Sequence, residues 1–416
     1  MVEMLSHREV IQLCAKTLRF YDSRLVEHGE RVAYIACRML AAMDEKTSAF
    51  DVKTLMLLSL FHDVGAYKTD EIDRMVEFET VDVQAHSVYG YLFLKHFTPV
   101  GDAAEAILYH HTPPAVLSRI HTPMRGYAEL LHIADRADIA LESGMSGKAL
   151  LSSLRLNCFD ETLLNALSLV LAQPAFRHGL LGGSASEWAM RTISKMNVSE
   201  AEAVKYLKMI VYSIDFKSEN TVVHSISTTI VSLYMAWRVG LSSSEMEKIY
   251  YAALIHDVGK LAIPEAILEF PGRLSAEQMK IMRRHVRYTE VIASGILPPD
   301  VTAIAIHHHE RLDGSGYPYG LTAAELSQSD RIVAIADIIS ALLGRRSYKE
   351  SYDWPKILDI LKGMSADGKL DRTLVELVEK NHIHLQEIID ERTAPIHKLY
   401  ARIHREYNER MEERHS

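Results

Sequence analysis

The chain has 416 residues, with 46 Lys and Arg against 55 Asp and Glu. This length exceeds what one ordinary hydrophobic core organises, so it predicts two domains. The acidic balance argues against a nucleic-acid-binding surface, which normally has a basic excess, and we expect no duplex nucleic acid as a partner. The N-terminus lacks the pattern of a signal peptide and the chain lacks an apolar run of about 18 residues, so we expect a cytoplasmic protein without a membrane partner.

Helical periodicity dominates the N-terminal half. Val32 and Ile35 follow His28 at helical spacing, and Leu131 precedes Asp135 by four residues. The stretch from residue 184 to residue 217 has the composition of a helix rather than of a Gly/Ser tether, which predicts a helical connector.

Helical periodicity also dominates the second half of the chain. Apolar residues separated by three and four positions predict a helix that begins near His224 and ends near Gly240; they are Val223, Ile226, Ile230, Leu233 and Trp237. Ser242 with Glu245, and Ser275 with Gln278, have the spacing of capping boxes and predict two further helix starts. We expect the second of these helices to turn Met279, Met282 and Val286 inward beside His285.

Residues 381–416 form a charged tail that we expect to be partly helical and to pack or to lie in solvent, with a dimeric coiled coil, and so a homodimer, as the alternative. Since alternating strand patterns are absent, we predict an all-α fold with two tandem helical domains. The predicted ranges are 1–183 for the first domain, 184–217 for the connector, 218–380 for the second domain and 381–416 for the tail.

Two matching successions of His and Asp run through the chain. The first consists of His28, His62, Asp63, His86, His110, His111 and Asp135, and the second of His224, His256, Asp257, His285, His308, His309 and Asp337. The four gaps within the first set are 34, 24, 24 and 24 residues, and those within the second are 32, 29, 23 and 28. This agreement predicts an internal duplication.

Five His and two Asp in one set exceed the ligands of a single tetrahedral site. Imidazole and carboxylate suit iron, manganese, nickel or zinc, and the three cysteines of the chain lack the CxxC spacing of a thiolate zinc site. A centre of two divalent metal ions is the economical interpretation of the second set, with iron or manganese favoured and nickel or zinc as alternatives.

Three further motifs accompany the second set. Residues 256–260 read His-Asp-Val-Gly-Lys, residues 308–320 read His-His-Glu-Arg-Leu-Asp-Gly-Ser-Gly-Tyr-Pro-Tyr-Gly, and residues 345–349 read Arg-Arg-Ser-Tyr-Lys. Together they resemble the HD-GYP family of cyclic dinucleotide phosphodiesterases over about residues 218–380. The resemblance implies two tandem HD-type domains, of which the second is catalytic.

The resemblance also implies residue roles. The seven residues of the second set are then metal ligands, with Asp257 bridging the two ions. Lys260, Arg346 and Lys349 are implied as contacts to the substrate phosphates, and Tyr317 either braces its loop or touches a base. Ser340, Ser347 and Leu312 depart from residues that are frequent in the family. None of these departures removes a metal ligand, so they put rate and substrate pose in doubt rather than activity.

The first set lacks this substrate apparatus. Ala66 stands where the second copy has Lys260, and Thr112 follows the His110-His111 doublet in place of the longer loop. The first copy therefore resembles a plain HD domain, for which metal binding is left open and a regulatory or scaffolding role is favoured.

The resemblance implies that a metal-bridging hydroxide attacks one phosphorus of a cyclic dinucleotide and that the opposite ester oxygen leaves, which gives the linear product. The substrate class is cyclic di-GMP, 3′,3′-cyclic GMP-AMP or both, since the phosphate contacts do not distinguish the bases. Two alternatives are a receptor that binds a cyclic dinucleotide without cleaving it and an HD hydrolase that acts on other nucleotides.

Overall fold

The computed structural model describes residues 7–20, 23–43, 51–68, 84–193, 195–196, 199, 202, 205–206, 209–212, 219–344 and 352–415. The chain divides into two compact units. We call the unit formed by Asp22–Tyr206 and Ile403–Ser416 the N-terminal unit, and the unit formed by Met1–Tyr21 and Leu207–Arg402 the C-terminal unit. The sequence-based domain ranges place residues 1–21 and 403–416 differently and stay a prediction.

The N-terminal unit contains these helices: α2 (Ser23–Ala42), α3 (Val52–Phe61), α4 (Gln84–Phe97), α5 (Glu105–Leu108), α6 (Pro114–Leu117), α7 (Arg125–Glu142), α8 (Gly147–Leu156), α9 (Glu161–Leu171), α10 (Pro174–Leu181) and α11 (Ser184–Ile193). Short 3₁₀ turns cover Val64–Lys68 and Gly101–Ala103. Helix α2 is central, since it packs against both α3 and α7, while the turn Val64–Lys68 packs on α4.

The C-terminal unit contains these helices: α1 (His7–Arg19), α12 (Glu219–Arg238), α13 (Ser243–Ile255), α14 (Glu265–Leu268), α15 (Ala276–Met282), α16 (Arg284–Ala293), α17 (Pro299–Ile306), α18 (Gln328–Leu343), α19 (Trp354–Ala366) and α20 (Arg372–His415). The last residues of α20 belong to the N-terminal unit. Helix α12 packs against α13 and α18, and a 3₁₀ turn at Val258–Ala262 packs on α16. These pairings repeat those of the N-terminal unit.

The all-α prediction is confirmed. The described part of the chain contains helices, turns and one isolated β-bridge between Asp313 and Thr322, and no strand. None of its helices combines the length and apolarity that crossing a bilayer requires.

Helix α12 buries a different face from the one that its apolar spacing suggests. Trp237, which belongs to the predicted apolar stripe, is 60% exposed, whereas Ser225, Thr228 and Ser232 are fully buried. Thr228 donates its hydroxyl proton to the carbonyl of His224 at 2.9 Å, so its polar group is satisfied within the helix. Small side chains on this face allow the close approach of α18, which carries Asp337.

The predicted helix starts are found with two differences. Ser275 and Gln278 form a complete capping box. Ser242 caps α13, but the Glu245 carboxylate accepts hydrogen bonds from Lys248 and Ser329. The expectation that Met279 faces inward is wrong, because its side chain is 37% exposed.

Candidate metal centre

The structure brings the seven residues of the second set together around the carboxylate of Asp257. Asp257 Oδ2 lies 3.4 Å from His224 Nε2 and 3.3 Å from His256 Nε2. Asp257 Oδ1 lies 3.5 Å from His285 Nε2 and 3.8 Å from His308 Nε2. Each oxygen of one carboxylate thus faces its own pair of imidazoles, which is the arrangement that a carboxylate bridging two ions requires.

Asp337 joins the two sides. Its Oδ1 lies 3.1 Å from His224 Nε2, and its Oδ2 lies 3.6 Å from His309 Nδ1. All seven side chains are therefore within reach of a small central volume. Two groups of three described residues are close enough to hold an ion each, namely His224 with His256 and Asp257, and His285 with His308 and His309.

Backbone carbonyls orient three of the imidazoles. Nδ1 of His256 lies 2.7 Å from the carbonyl of Ala253, Nδ1 of His285 lies 2.6 Å from that of Met282, and Nδ1 of His308 lies 2.7 Å from that of Ala305. A carbonyl only accepts, so the proton must be on Nδ1. In the neutral form of each ring, the lone pair of Nε2 then points to the centre, as metal coordination requires.

Gly259 permits the close approach that places His285. A Cβ atom at this position would clash with the carbonyl oxygen of His285, so only glycine lets the Val258–Ala262 turn lie against α16. Thr289 stabilises this contact, because its hydroxyl donates to the carbonyl of His256 at 3.0 Å and accepts from the amide of Gly259 at 3.0 Å. These contacts fix the position of His256 and Asp257 relative to His285.

The residues present fit metal ions. Asp257 Oδ1 is buried without a hydrogen-bond partner in the described part of the chain, which is costly unless a cation neutralises it. Burial lowers the pKa of His285 to about 4 and that of His308 to about 3, so both rings are neutral at physiological pH. Neutral imidazole is the form that binds metal.

The carboxylates are ionised. Burial alone would raise the pKa of Asp257, but the Lys260 ammonium and His256 hold it well below its usual range. The Lys260 ammonium forms an ion pair with Asp257 Oδ2. Lys260 is therefore placed at the edge of the centre, where its partner is a carboxylate, and its predicted contact with phosphate stays a prediction.

Glu310 anchors the loop that carries Tyr317. Its buried carboxylate accepts hydrogen bonds from the amides of Tyr319 at 2.7 Å, Gly320 at 3.2 Å and Leu321 at 3.0 Å. Three hydrogen bonds from backbone amides to one carboxylate fix the path of this segment. The Tyr317 ring lies 4.6 Å from the ring of His309, so it flanks the metal ligands.

Two arginines at this loop were missed by the sequence reasoning. The guanidinium of Arg283 lies 4.6 Å from the centroid of the Tyr317 ring, and the described residues offer it no carboxylate partner. Arg311 is half-buried and donates to the carbonyls of Glu310 at 2.6 Å and His308 at 3.2 Å. The position of Arg283 directly before α16, two residues from His285, was the available signal, but adjacency in sequence does not show which ring it covers.

Arg346 and Lys349, which the sequence assigned to phosphate binding, lie outside the described residues. Of the expected phosphate contacts, the structure places only Lys260.

The first set assembles in the same way. Asp63 Oδ2 lies 3.2 Å from His62 Nε2 and 3.6 Å from His28 Nε2, while Asp63 Oδ1 lies 3.7 Å from His86 Nε2 and 3.5 Å from His110 Nε2. Asp135 reaches His28 at 3.2 Å and His111 at 3.8 Å. Asp63, His86, His110 and His111 form one group that could hold an ion, and His28, His62 and Asp135 form another.

The two centres differ at the position three residues after the Asp on α7 and α18. Asp138 accepts from His28 at 2.7 Å and from Arg31 at 2.8 Å, so a carboxylate orients the first His of the N-terminal set. Ser340 occupies the corresponding place in the C-terminal unit, and its buried hydroxyl has no hydrogen-bond partner among the described residues.

Comparison with known proteins agrees with the duplication. Two family models described as HD domain match residues 25–140 and 208–374. Over 379 residues the chain is 29% identical to 3′3′-cGAMP-specific phosphodiesterase 1 of Vibrio cholerae serotype O1, covering 86% of this chain and 87% of that protein. It is 34% identical over 202 residues to the cyclic di-GMP phosphodiesterase response regulator RpfG of Xanthomonas campestris, covering 48% of this chain and 53% of the relative. Among solved structures, the V. cholerae cyclic GMP-AMP phosphodiesterase V-cGAP3 shares the fold with a TM-score of 0.53 at 18% identity, covering 89% of this chain and 96% of the other.

Proposed function

We propose that this chain, which belongs to the HD domain family and carries two HD domains, is a metal-dependent phosphodiesterase that linearises a cyclic dinucleotide at its C-terminal centre. The observation that carries the proposal is the position of Asp257, whose two oxygens face separate groups of imidazoles. The motifs 256–260 and 308–320 stand beside this centre and resemble the HD-GYP pattern.

We assign the seven residues of the second set as ligands of two divalent ions, with iron or manganese favoured. When bound, such ions activate water and neutralise the phosphodiester. The N-terminal set is a second candidate metal site, whose occupancy stays a prediction.

Lys260 has a role toward phosphate in this proposal. Its ion pair with Asp257 places the ammonium at the edge of the centre. Ions held by Asp257 would share its negative charge, which would leave the ammonium able to contact a phosphate oxygen of the substrate. A Lys held in this way acts as a compact positive charge that gains strength as charge develops on phosphorus.

Tyr317 and Arg283 serve substrate positioning. The Tyr317 ring lies 4.6 Å from the His309 ring and 4.6 Å from the Arg283 guanidinium. Arg283 is exposed and therefore accessible to a ligand, and a guanidinium either stacks on a base or pairs with a phosphate. We assign Arg283 to the half of the cyclic dinucleotide that does not react.

A relative whose match covers 86% of this chain is named for 3′3′-cGAMP, and another relative is named for cyclic di-GMP. We therefore propose 3′,3′-cyclic GMP-AMP as the first substrate to test, with cyclic di-GMP beside it. The decisive experiment incubates the purified chain, loaded separately with iron and manganese, with each compound and separates the products by chromatography.

Linear dinucleotide that appears only with metal supports the proposal. Tight binding with unchanged ligand would establish a receptor instead, and release of nucleosides from mononucleotides without linearisation would establish a different HD hydrolase. The variant with both His256 and Asp257 changed to Ala is the control for contaminating phosphodiesterase.

A further inference from the structure

A cavity of about 570 Å³ lies in the N-terminal unit beside the first His/Asp set. His111, a member of that set, forms part of its wall, together with His132 and Phe159. The volume falls within the usual range of small-molecule sites, roughly 300–1,000 Å³. Nothing in the assignment of the C-terminal centre uses this cavity.

Helix α7 separates two environments on its opposite faces. Asp135 and Asp138 contact His28, and Glu142 contacts Arg31. Residues 136, 139, 140 and 143 follow the i, i+3, i+4, i+7 spacing of one helix face and line the cavity. The side chains of Asp135, Asp138 and Glu142 are thus turned away from the cavity.

The cavity has a cationic and an apolar part. Among the described residues that line the cavity, Arg136 is the only Arg or Lys. None of these lining residues carries a carboxylate. Among the residues that the structure describes, none forms a hydrogen bond or an ion pair with the Arg136 guanidinium, although the chain contains 55 Asp and Glu. Ile139, Ala140 and Met145 supply accessible apolar surface of the kind that covers a planar base, whereas the lining residues Leu150, Leu154 and Phe159 are buried. Asn157 and Ser153 supply polar groups.

We propose that this cavity is a binding site for a purine nucleoside monophosphate, separate from the C-terminal centre. Arg136 pairs with the phosphate, and the apolar wall formed by Ile139, Ala140 and Met145 covers the base. An unpaired guanidinium at a carboxylate-free opening selects an anion, and the apolar wall selects an anion that carries a ring system. The N-terminal unit is then a ligand-binding module, and this inference holds whether or not the C-terminal centre cleaves a cyclic dinucleotide.

The test uses the full chain with His256 and Asp257 both changed to Ala, so that the C-terminal centre does not contribute. Calorimetric titrations with GMP and AMP are compared with titrations of inorganic phosphate, guanosine and 3′,3′-cyclic GMP-AMP. The variants are Arg136→Ala, Ser153→Trp, which places a large ring at an exposed position of the cavity wall, and the control Arg119→Ala. Arg119 is an exposed Arg of the same unit that does not line the cavity.

We expect saturable binding of GMP or AMP, at least about tenfold weaker in both cavity variants and unchanged in Arg119→Ala. Circular dichroism of every variant establishes that the fold is retained, and the conservative Arg136→Lys should recover part of the affinity. The proposal is overturned if neither mononucleotide binds, if both cavity variants bind as the parent does, or if phosphate or guanosine alone binds as tightly as GMP. Binding of the cyclic dinucleotide without binding of GMP or AMP also overturns it.

Discussion

At the scale of single residues, Lys260 separates the two centres most clearly. It pairs with Asp257 in the C-terminal unit, whereas Ala66, fully buried, stands at the corresponding position of the N-terminal unit. Both units keep the His and Asp set. We therefore expect the lysine to serve the substrate rather than the metal.

Lys260→Ala should lower turnover by about 100-fold, because it removes a charge that stabilises the developing phosphate charge. Metal content should stay at the parental level, since the seven proposed ligands are untouched. Turnover of cyclic dinucleotide and metal analysis by mass spectrometry check the two parts. Lys280→Ala, at an exposed position of α15, is the matched control. A Lys260→Ala variant as active as the parent would assign this lysine a structural role only.

Arg283→Ala should raise KM roughly tenfold with a smaller change in kcat, because the guanidinium contacts Tyr317 rather than the reacting phosphate. Arg287→Ala is the control, as Arg287 lies four residues further on and is paired with Glu290. Steady-state kinetics of both variants provide the measurement. An equal effect of the two changes would mean that general charge, not the position over Tyr317, matters.

At the scale of elements, the loop between α17 and α18 depends on Gly316. A Cβ atom there would clash with the backbone of Glu310 and Arg311, so the loop can pass Glu310 only with glycine at this point. The close contact between Gly316 and this backbone therefore also determines the position of the neighbouring Tyr317.

Gly316→Ala should therefore displace Tyr317 and reduce kcat/KM at least about tenfold. Gly363→Ala is the matched control: its Cβ would meet nothing within 4 Å inside helix α19, where Ala is favoured by about 1 kcal/mol. We expect parental kinetics and a slightly higher Tm for that variant. Parental kcat/KM in Gly316→Ala would show that the loop adapts without consequence for the site.

Local patterns explain what the sequence could predict at this scale. Helices and their caps depend on neighbouring residues, and the duplicated spacing of His and Asp was sufficient to predict two sets that the structure brings together. The buried face of α12 was not predictable from hydrophobicity, since Ser225, Thr228 and Ser232 are buried where small size matters more than polarity. The contact between Arg283 and Tyr317 joins residues 34 positions apart and has no local signal.

At the scale of the whole molecule, the chain ends do not follow the simple order of two domains. Helix α1 belongs to the C-terminal unit, where Lys16 Nζ donates to the carbonyl of Ser294 at 2.9 Å. The end of α20 belongs to the N-terminal unit, where Lys95 pairs with Glu406 at 2.9 Å and Tyr89 stacks on Tyr407 with centroids 4.0 Å apart. The hydrophobic periodicity of a helix does not show which distant part of the chain it packs against, so the sequence does not predict these assignments.

The duplication raises the question of which centre catalyses. Each set of seven residues comes from one unit only, so each centre can be disrupted without removing a ligand of the other. Changing His256 and Asp257 to Ala should abolish linearisation, because it removes the proposed bridging carboxylate together with one imidazole. Changing His62 and Asp63 to Ala should leave hydrolysis detectable, because the N-terminal unit lacks the counterparts of Lys260 and of the 308–320 loop.

Activity alone does not decide this comparison, since the loss of a metal can also destabilise a fold. Metal stoichiometry and thermal unfolding are therefore measured for the parent and both double variants. We expect the His256/Asp257 variant to lose the metal of the C-terminal centre while remaining folded and inactive, and the His62/Asp63 variant to retain that metal together with its activity. The assignment of the catalytic unit is wrong if the His62/Asp63 variant, folded and with its C-terminal metal, loses all cleavage while the His256/Asp257 variant keeps it.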